Sequence, residues 1–307
     1  MERDHGVEMA GRDGCSRSFK FVGLSRSPSA KIVSMGTLYL VATPIGNLED
    51  ITLRALRILR EVDLIAAEDT RQTKKLLNHY EINTQLLSYH EHNKEQQKDR
   101  ILEALGQGDV ALVSDAGTPG LSDPGYELVQ AVLDGGHTVS PIPGPSAPIA
   151  ALVASGLPTD TFLFLGYLPR RPKDRKKLLQ SIAHESRTLV LFEVPHRLIQ
   201  ALEEVEDLFD RERQLAVCRE LTKMHEEILR GTVREIRDHF KGVEPRGEFT
   251  LVIAGAATNT LWDEEDVRKA VTAYLKEGLS PSQVARRIAA QSKWPRQDVY
   301  RITLEEK

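Results

Sequence analysis

The stretch 109-DVALVSDAGTPGLSDPGY-126 passes from a short apolar run into a loop and then into a segment with helical spacing. Between Asp115 and Tyr126 lie three glycines, two prolines and two aspartates, far more punctuation than a strand-to-helix connection needs. Proline fixes φ and glycine lets backbone amides approach a ligand closely, so the loop reads as a preorganised wall. It holds no lysine or arginine, which makes a phosphate the wrong guest.

Outward from this loop, β-rich runs alternate with helical ones. TLYLVAT (37–43), DLIAAED (63–69), QLLSYH (85–90), DVALVSD (109–115) and HTVSPIP (137–143) read as strands. LRALRILREV (53–62), TRQTKKLLNHY (70–80), a polar segment near 94–105 and the run from Pro124 to Leu133 read as helices. The β runs are apolar throughout instead of alternating, as expected when helices cover both faces of a sheet. Alternating strands and helices imply a mainly parallel α/β sheet. Open sheets of this kind bind ligands at the C-terminal ends of their strands. Three rigid turns fall there: TPIGN (43–47), the opening loop, and PIPGPSA (141–147).

A second series follows the turn-rich ASGLPTD. TFLFLGYL (161–168), RTLVLFEV (187–194), QLAVCREL (214–221) and EFTLVIAG (248–255) read as strands of a mixed sheet. After AATNT comes a small helical unit. The expected organisation is an extension over 1–34, an α/β domain over 35–157, a second over 158–257 and a helical unit over 262–307.

Bulk properties narrow the function. The chain has 307 residues, 40% hydrophobic and 28% charged, with a formal net charge of −4, the composition of a soluble globular protein. Cys15 and Cys218 lack any Cys-x-x-Cys spacing, which argues against a zinc site or disulfide scaffold and fits a reducing cytoplasm. Residues 1–34 show no periodicity and lack the apolar centre of a signal peptide, so they read as a disordered tail, with Met35 a candidate true start. There is no G-x-x-x-x-G-K-[ST] loop, and Gly106-Gln107-Gly108-Asp109-Val110-Ala111 precedes a strand, the reverse of the dinucleotide fingerprint. Gly106 and Gly108 read instead as a helix C-cap and turn.

Taken together, TPIGN (43–47), AEDTR (67–71), SYHEHN (88–93), SDAGTPGLSDPG (114–125), IPGPSA (142–147), RELTKMHEE (219–227) and GEFTLVIAG (247–255) resemble one family. It is the small-subunit ribosomal RNA cytidine 2′-O-methyltransferase family, a branch of the tetrapyrrole methylase superfamily. The resemblance runs from about Gly36 to the C-terminus. It implies a two-domain, class III S-adenosylmethionine-dependent methyltransferase fold of α/β type, with the folded cofactor held between domains, a homodimer, and 16S rRNA or the small ribosomal subunit as partner. The cofactor loop falls on Gly117, Thr118 and Pro119, with Asp115, Leu121, Ser122 and Asp123 beside it. The resemblance adds Pro44 from the first strand, Ser146 and Ala147 from the third turn, and Gly166 and Gly247 across the cleft. No metal is required, because a sulfonium methyl is already activated.

A ribose hydroxyl is a poor nucleophile until a base accepts its proton. Glu68, Asp69 and His90 are the candidates, with Arg71 available to hold a phosphate or orient a carboxylate. Asp69 also reads as the N-cap of the helix that follows. The stretch 169-PRRPKDRKK-177 has six cations and one anion, so Arg170, Arg171, Lys173 and Arg175 form a candidate phosphate track. His196 and Arg197 are further RNA or structural contacts; Phe192 and Val194 stand where the family more often has Tyr and Ser. The C-terminal LSPSQVARRIAAQSKWPRQDVYRI resembles a helix-turn-helix, either a packing pair or an RNA-docking element. Two other functions compete: a methyltransferase acting on a tetrapyrrole such as a corrin precursor, and a ligand-sensing helix-turn-helix regulator.

Overall fold

The computed structural model describes residues 35–256, 262–292 and 294–306. The expectations for the N-terminal extension and for Lys293 lie outside the described residues. Two five-stranded sheets organise the rest.

The first sheet contains β1 (Thr37–Val41), β2 (Leu64–Ala67), β3 (Leu86–Ser88), β4 (Val110–Val113) and β5 (Thr138–Ile142) in the order β3-β2-β4-β1-β5. Every pairing in it is parallel. The apolar runs explain this. LIAA in β2 and VALV in β4 are buried at every position, because α1 (Leu53–Glu61) and α2 (Thr70–His79) cover one face and α3 (Lys94–Leu105) and α4 (Tyr126–Asp134) the other. Gly106 does cap α3, its amide donating to Leu102 O. Parallel strands send all their C-terminal ends to one edge, so residues 43–47, 68–69, 114–125 and 143–146 gather there.

The second sheet runs β6-β7-β10-β8-β9, from β6 (Phe162–Tyr167), β7 (Thr188–Glu193), β8 (Gln214–Arg219), β9 (Glu227–Thr232) and β10 (Phe249–Ile253). β6 and β7 are parallel; the other pairs are antiparallel, which makes the sheet mixed. The edge strand β9 is an addition to the strands expected from sequence. Its EILRGT carries two charges and a glycine, and is held by six-residue pairing with β8. β6 has an irregularity between Phe164 and Tyr167 that contains Gly166 at φ +63°.

The connection between sheets is α5 (Ala147–Ala154). By sequence it belongs with the first series, yet it packs Ala151 and Leu152 against Val190, Ala216 and Val252 of the second sheet. α6 (Pro172–Ile182), α7 (Pro195–Leu208) and α8 (Val233–His239) cover that sheet's other face. Finally, α9 (Glu264–Lys276), α10 (Pro281–Ser292) and α11 (Arg296–Glu305) close around their own core of Val267, Val271, Val284, Ile288, Val299 and Ile302. Among the described residues no helix is long and apolar enough to cross a membrane.

Candidate active site

The three rigid turns meet. Thr43 and Gly117 exchange both backbone hydrogen bonds, at 2.9 and 3.0 Å, and the Thr118 hydroxyl donates to Pro145 O at 3.4 Å. The bridge is possible because Gly117 sits at φ +81°, a left-handed conformation that costs any side-chain-bearing residue about 1 kcal/mol or more. Ser122 adopts the same region at φ +67° without being glycine. Such strain is held in place by its surroundings and concentrates at ligand sites.

Opposite these turns stands the second sheet, and between them lies a cavity of about 290 Å³. From the first side come Glu68, Asp115, Gly117, Thr118, Leu121, Ser122 and Asp123, joined by Ser146 and Ala147 at the start of α5. Gly247 lines the far wall at φ +94°. A Cβ there would lie 2.6–2.8 Å from the Glu220 side chain, so the position has room only for hydrogen. Three expected contacts fall outside the lining. Pro44 gives way to its neighbour Ile45, Pro119 is buried beneath the loop, and Gly166 meets the cavity's rim through Ser122, whose Oγ would be 3.0 Å from an added Cβ.

Sequence reasoning assigned no cofactor contact to most of the far wall: Tyr167 and Phe192, whose rings lie 5.2 Å apart, Glu193, and Glu248 to Thr250 at the start of β10. Only Gly247, preceding that strand, signalled it.

Among the described residues the cavity's lining includes Glu68, Asp115, Asp123, Glu193 and Glu248 but no lysine or arginine. The charges answer to this. Burial first, then repulsion from Glu68, pushes Asp123 up to about 6 from 3.8, while a Ser114 hydroxyl bond opposes the shift. Glu68 is raised as well, by burial first and then by Asp115, with His90 pulling the other way. Asp115 N approaches Glu68 Oε2 at 3.5 Å, and Asp115 Oδ1 accepts from Asp69 N at 2.9 Å. Among the described residues no group of three or more His, Cys, Asp or Glu is placed to hold a metal ion.

The four catalytic candidates separate. Only Glu68 faces the cavity. Asp69 takes the helix-capping role that its position also allowed: it caps α2 through Arg71 N at 2.8 Å and grips the Arg71 guanidinium at 2.7 Å, which holds its pKa down at about 2. Arg71 shares that pair and is otherwise exposed. His90 stands behind Glu68, its Nδ1 buried without a hydrogen-bond partner and its ring 6.0 Å from His92.

Arg175 needs correction, and Arg197 takes the structural one of its two expected roles. Arg175 is 1% exposed and makes a bidentate pair with Glu204 of α7 at 2.6 and 2.7 Å. It fastens α6 to α7 and offers nothing to a phosphate. Arg197 binds the buried Glu193 at 2.6 Å and Leu168 O at 3.2 Å, joining α7 to the strands beneath. Arg170, Arg171 and Lys173 lie at the surface where α6 begins, and His196 is exposed at the start of α7.

An α/β pair of sheets with a cofactor-sized cleft defines a class, and comparison identifies it. Residues 37–237 match the family model of tetrapyrrole (corrin/porphyrin) methylases. A solved cobalamin biosynthetic enzyme, cobalt precorrin-4 methyltransferase, superposes with a TM-score of 0.57 over 74% of this chain and 98% of its own, at 18% identity. That likeness concerns the fold. Among curated proteins, "Ribosomal RNA small subunit methyltransferase I" of Synechocystis sp. is 50% identical over 274 residues, 88% of this chain and 98% of the relative. The protein of that name from Thermotoga maritima is 49% identical over 222 residues, 72% of this chain and 99% of the relative. The chain belongs to the tetrapyrrole methylase family and, within it, to the ribosomal RNA small subunit methyltransferase I group.

Proposed function

We propose that this protein transfers a methyl group from S-adenosylmethionine to the ribose 2′-hydroxyl of a cytidine in the 16S rRNA of the small ribosomal subunit, in the cytoplasm and as a homodimer. The observation that carries the cofactor assignment is the acidic cavity: of the five carboxylates that line it, Glu193 pairs with Arg197 and Glu248 with Lys223, while among the described residues Glu68, Asp115 and Asp123 have no ion-pair partner. Glu68 and Asp123 are pushed toward the neutral form by burial and then by their neighbouring carboxylates. A cationic ligand relieves that cost, and a sulfonium with an ammonium is such a ligand.

The residues present fit the group. Asp123 and Asp115 would take the ammonium and ribose hydroxyls; the amides and carbonyls around Gly117–Thr118 and Ser146–Ala147 would take the remaining polar edge. Gly247 and Thr250 would close it from the second domain, so the division at 157/158 has the cofactor contacted from both sides. When bound, S-adenosylmethionine supplies an electrophilic methyl on sulfur. The protein's own part is to align an oxygen with it and to accept a proton. Positioning carries much of the rate. Glu68 is the group for the proton: it faces the cavity, and burial raises it above the usual carboxylate range, making it a better base once ionised.

Arg170, Arg171, Lys173 and His196 would meet the RNA outside the cleft. Relatives of 45–50% identity that bear a ribosomal RNA methyltransferase name support rRNA over a tetrapyrrole as substrate. For the homodimer, Ile149 and Val153, four residues apart on α5, are exposed at 46% and 67% and suit a second copy.

Methyl-labelled S-adenosylmethionine offered with small subunits, naked rRNA or a corrin precursor tests the reading. Label in rRNA is expected; label only in the tetrapyrrole overturns the substrate, and label in none overturns the activity.

A further inference from the structure

The α9–α11 unit is an addition to the methylase core. Both sheets together need residues 37–253, and the Thermotoga relative is matched over 99% of its length by 222 residues of this chain. That relative is too short to carry a further three-helix unit. The unit is therefore not a fixed part of every relative, whereas the Synechocystis relative is matched over 274 residues.

Its surface is sorted by charge. On α10 the buried positions are Val284, Ala285, Ile288 and Ser292, which leaves Ser282, Arg286 and Arg287 exposed outside that stripe. On α11 the buried positions are Val299, Ile302 and Thr303, which leaves Arg296, Gln297, Tyr300 and Arg301 outward. The two exposed stripes meet where α11 begins: the Arg296 guanidinium donates to Ser282 Oγ at 3.2 Å, Ser282 is one turn before Arg286, and Tyr300 is one turn after Arg296. Among the described residues Arg286, Arg287 and Arg296 have no carboxylate partner, and Arg301 reaches Asp298 only at 3.6 Å. The acids that would neutralise this face are engaged elsewhere. Glu305 and Glu306 both bind Arg268 of α9, at 2.8 and 3.0 Å. Glu264, Glu265 and Asp266 sit in the first turn of α9.

We propose that this basic surface, Arg286, Arg296 and Arg301 with the exposed Tyr300, is a docking surface for double-stranded RNA on the substrate particle. The proposal rests on the rRNA reading above. It also specifies how the face binds. The major groove of an A-form duplex is deep and narrow, so α11 does not enter it as a helix enters DNA; the arginines meet phosphates and 2′-hydroxyls across the shallow groove. Recognition is therefore of shape and charge, and it is salt-dependent.

The test uses the full chain and R286Q/R296Q/R301Q. Binding to an RNA duplex of about 20 base pairs, long enough to present two successive shallow grooves, and the KM for small subunits are measured across a salt series. Loss of three phosphate contacts should weaken duplex binding about 10- to 100-fold at low salt and reduce the slope of log K against log salt by about 2–3. The KM should rise with it, while kcat at saturating substrate and the cofactor Kd stay as in the wild type. R286Q alone, remote from the core, should give an intermediate loss if the triple variant fails to fold. E264Q/E265Q on α9 should leave duplex binding unweakened. Unchanged duplex affinity and KM in an active, folded variant overturns the proposal, as does equal weakening by the α9 variant or tighter binding of the wild type to the DNA duplex of the same sequence. A wild type that methylates no rRNA overturns the parent reading instead.

Discussion

Replacing Asp123 by asparagine should make the protein more stable and a worse enzyme. Burial and the neighbouring Glu68 raise Asp123 to about 6 from 3.8. One pKa unit corresponds to about 1.4 kcal/mol, so holding this carboxylate ionised costs the fold up to about 3 kcal/mol. Because Asp123 is only half-buried, solvent screening reduces that to about 1–2 kcal/mol. The direction with pH follows from which state binds more protons. At about pH 7.5 Asp123 is ionised in both states and the folded state bears the whole cost. As pH falls through about 6 the folded protein takes up the proton while the unfolded chain does not, and the cost disappears below about 3.8. Urea unfolding without cofactor should therefore find D123N more stable than wild type at about pH 7.5, by a margin that shrinks toward about pH 4.5. At the same time cofactor affinity should fall at least about tenfold, because the carboxylate that the ammonium would neutralise is gone. A D123N protein that is less stable at neutral pH, or whose margin is independent of pH, refutes the reasoning; wild-type cofactor affinity refutes the assignment of Asp123 to the ligand.

Other expectations follow from the same geometry. E68Q should lower kcat about a hundred- to ten-thousand-fold, far more than it weakens cofactor binding, and the wild-type kcat/KM should rise with pH as Glu68 ionises. G117V places a β-branched residue at φ +81° in the Thr43–Gly117 bridge, so cofactor binding by calorimetry should be lost while the protein still unfolds cooperatively. E204A leaves the buried Arg175 unpaired and should cost about 2–4 kcal/mol in chemical unfolding without changing RNA affinity at permissive temperature. R170E/K173E should do the reverse, weakening RNA binding with stability nearly unchanged, since both lie at the surface at the start of α6.

The parallel sheet was legible because LIAA and VALV are apolar at consecutive positions, a pattern that only two-sided burial requires. The near wall was legible because its turns are dense in proline and glycine. The far wall was not: Tyr167, Phe192 and Thr250 are ordinary strand residues until the second sheet is placed against the first. β9 escaped notice because its stabilisation is pairing with β8 and not an apolar run of its own. Arg175 misled by composition, lying among lysines, yet its spacing held the answer. Arg175, Leu179 and Ile182 fall at i, i+4 and i+7, the buried stripe of α6. Charge counted along a chain predicts a phosphate track only where the helical period leaves each charge outside.

Transfer of the methyl group to a ribose oxygen of rRNA is read out directly by alkaline hydrolysis. A 2′-O-methyl group removes the hydroxyl that attacks the adjacent phosphodiester, so that linkage survives base. Small-subunit rRNA labelled by this protein and then hydrolysed in alkali should release the label in a dinucleotide beginning with cytidine. Label recovered in mononucleotides would place the methyl on a base and contradict the account.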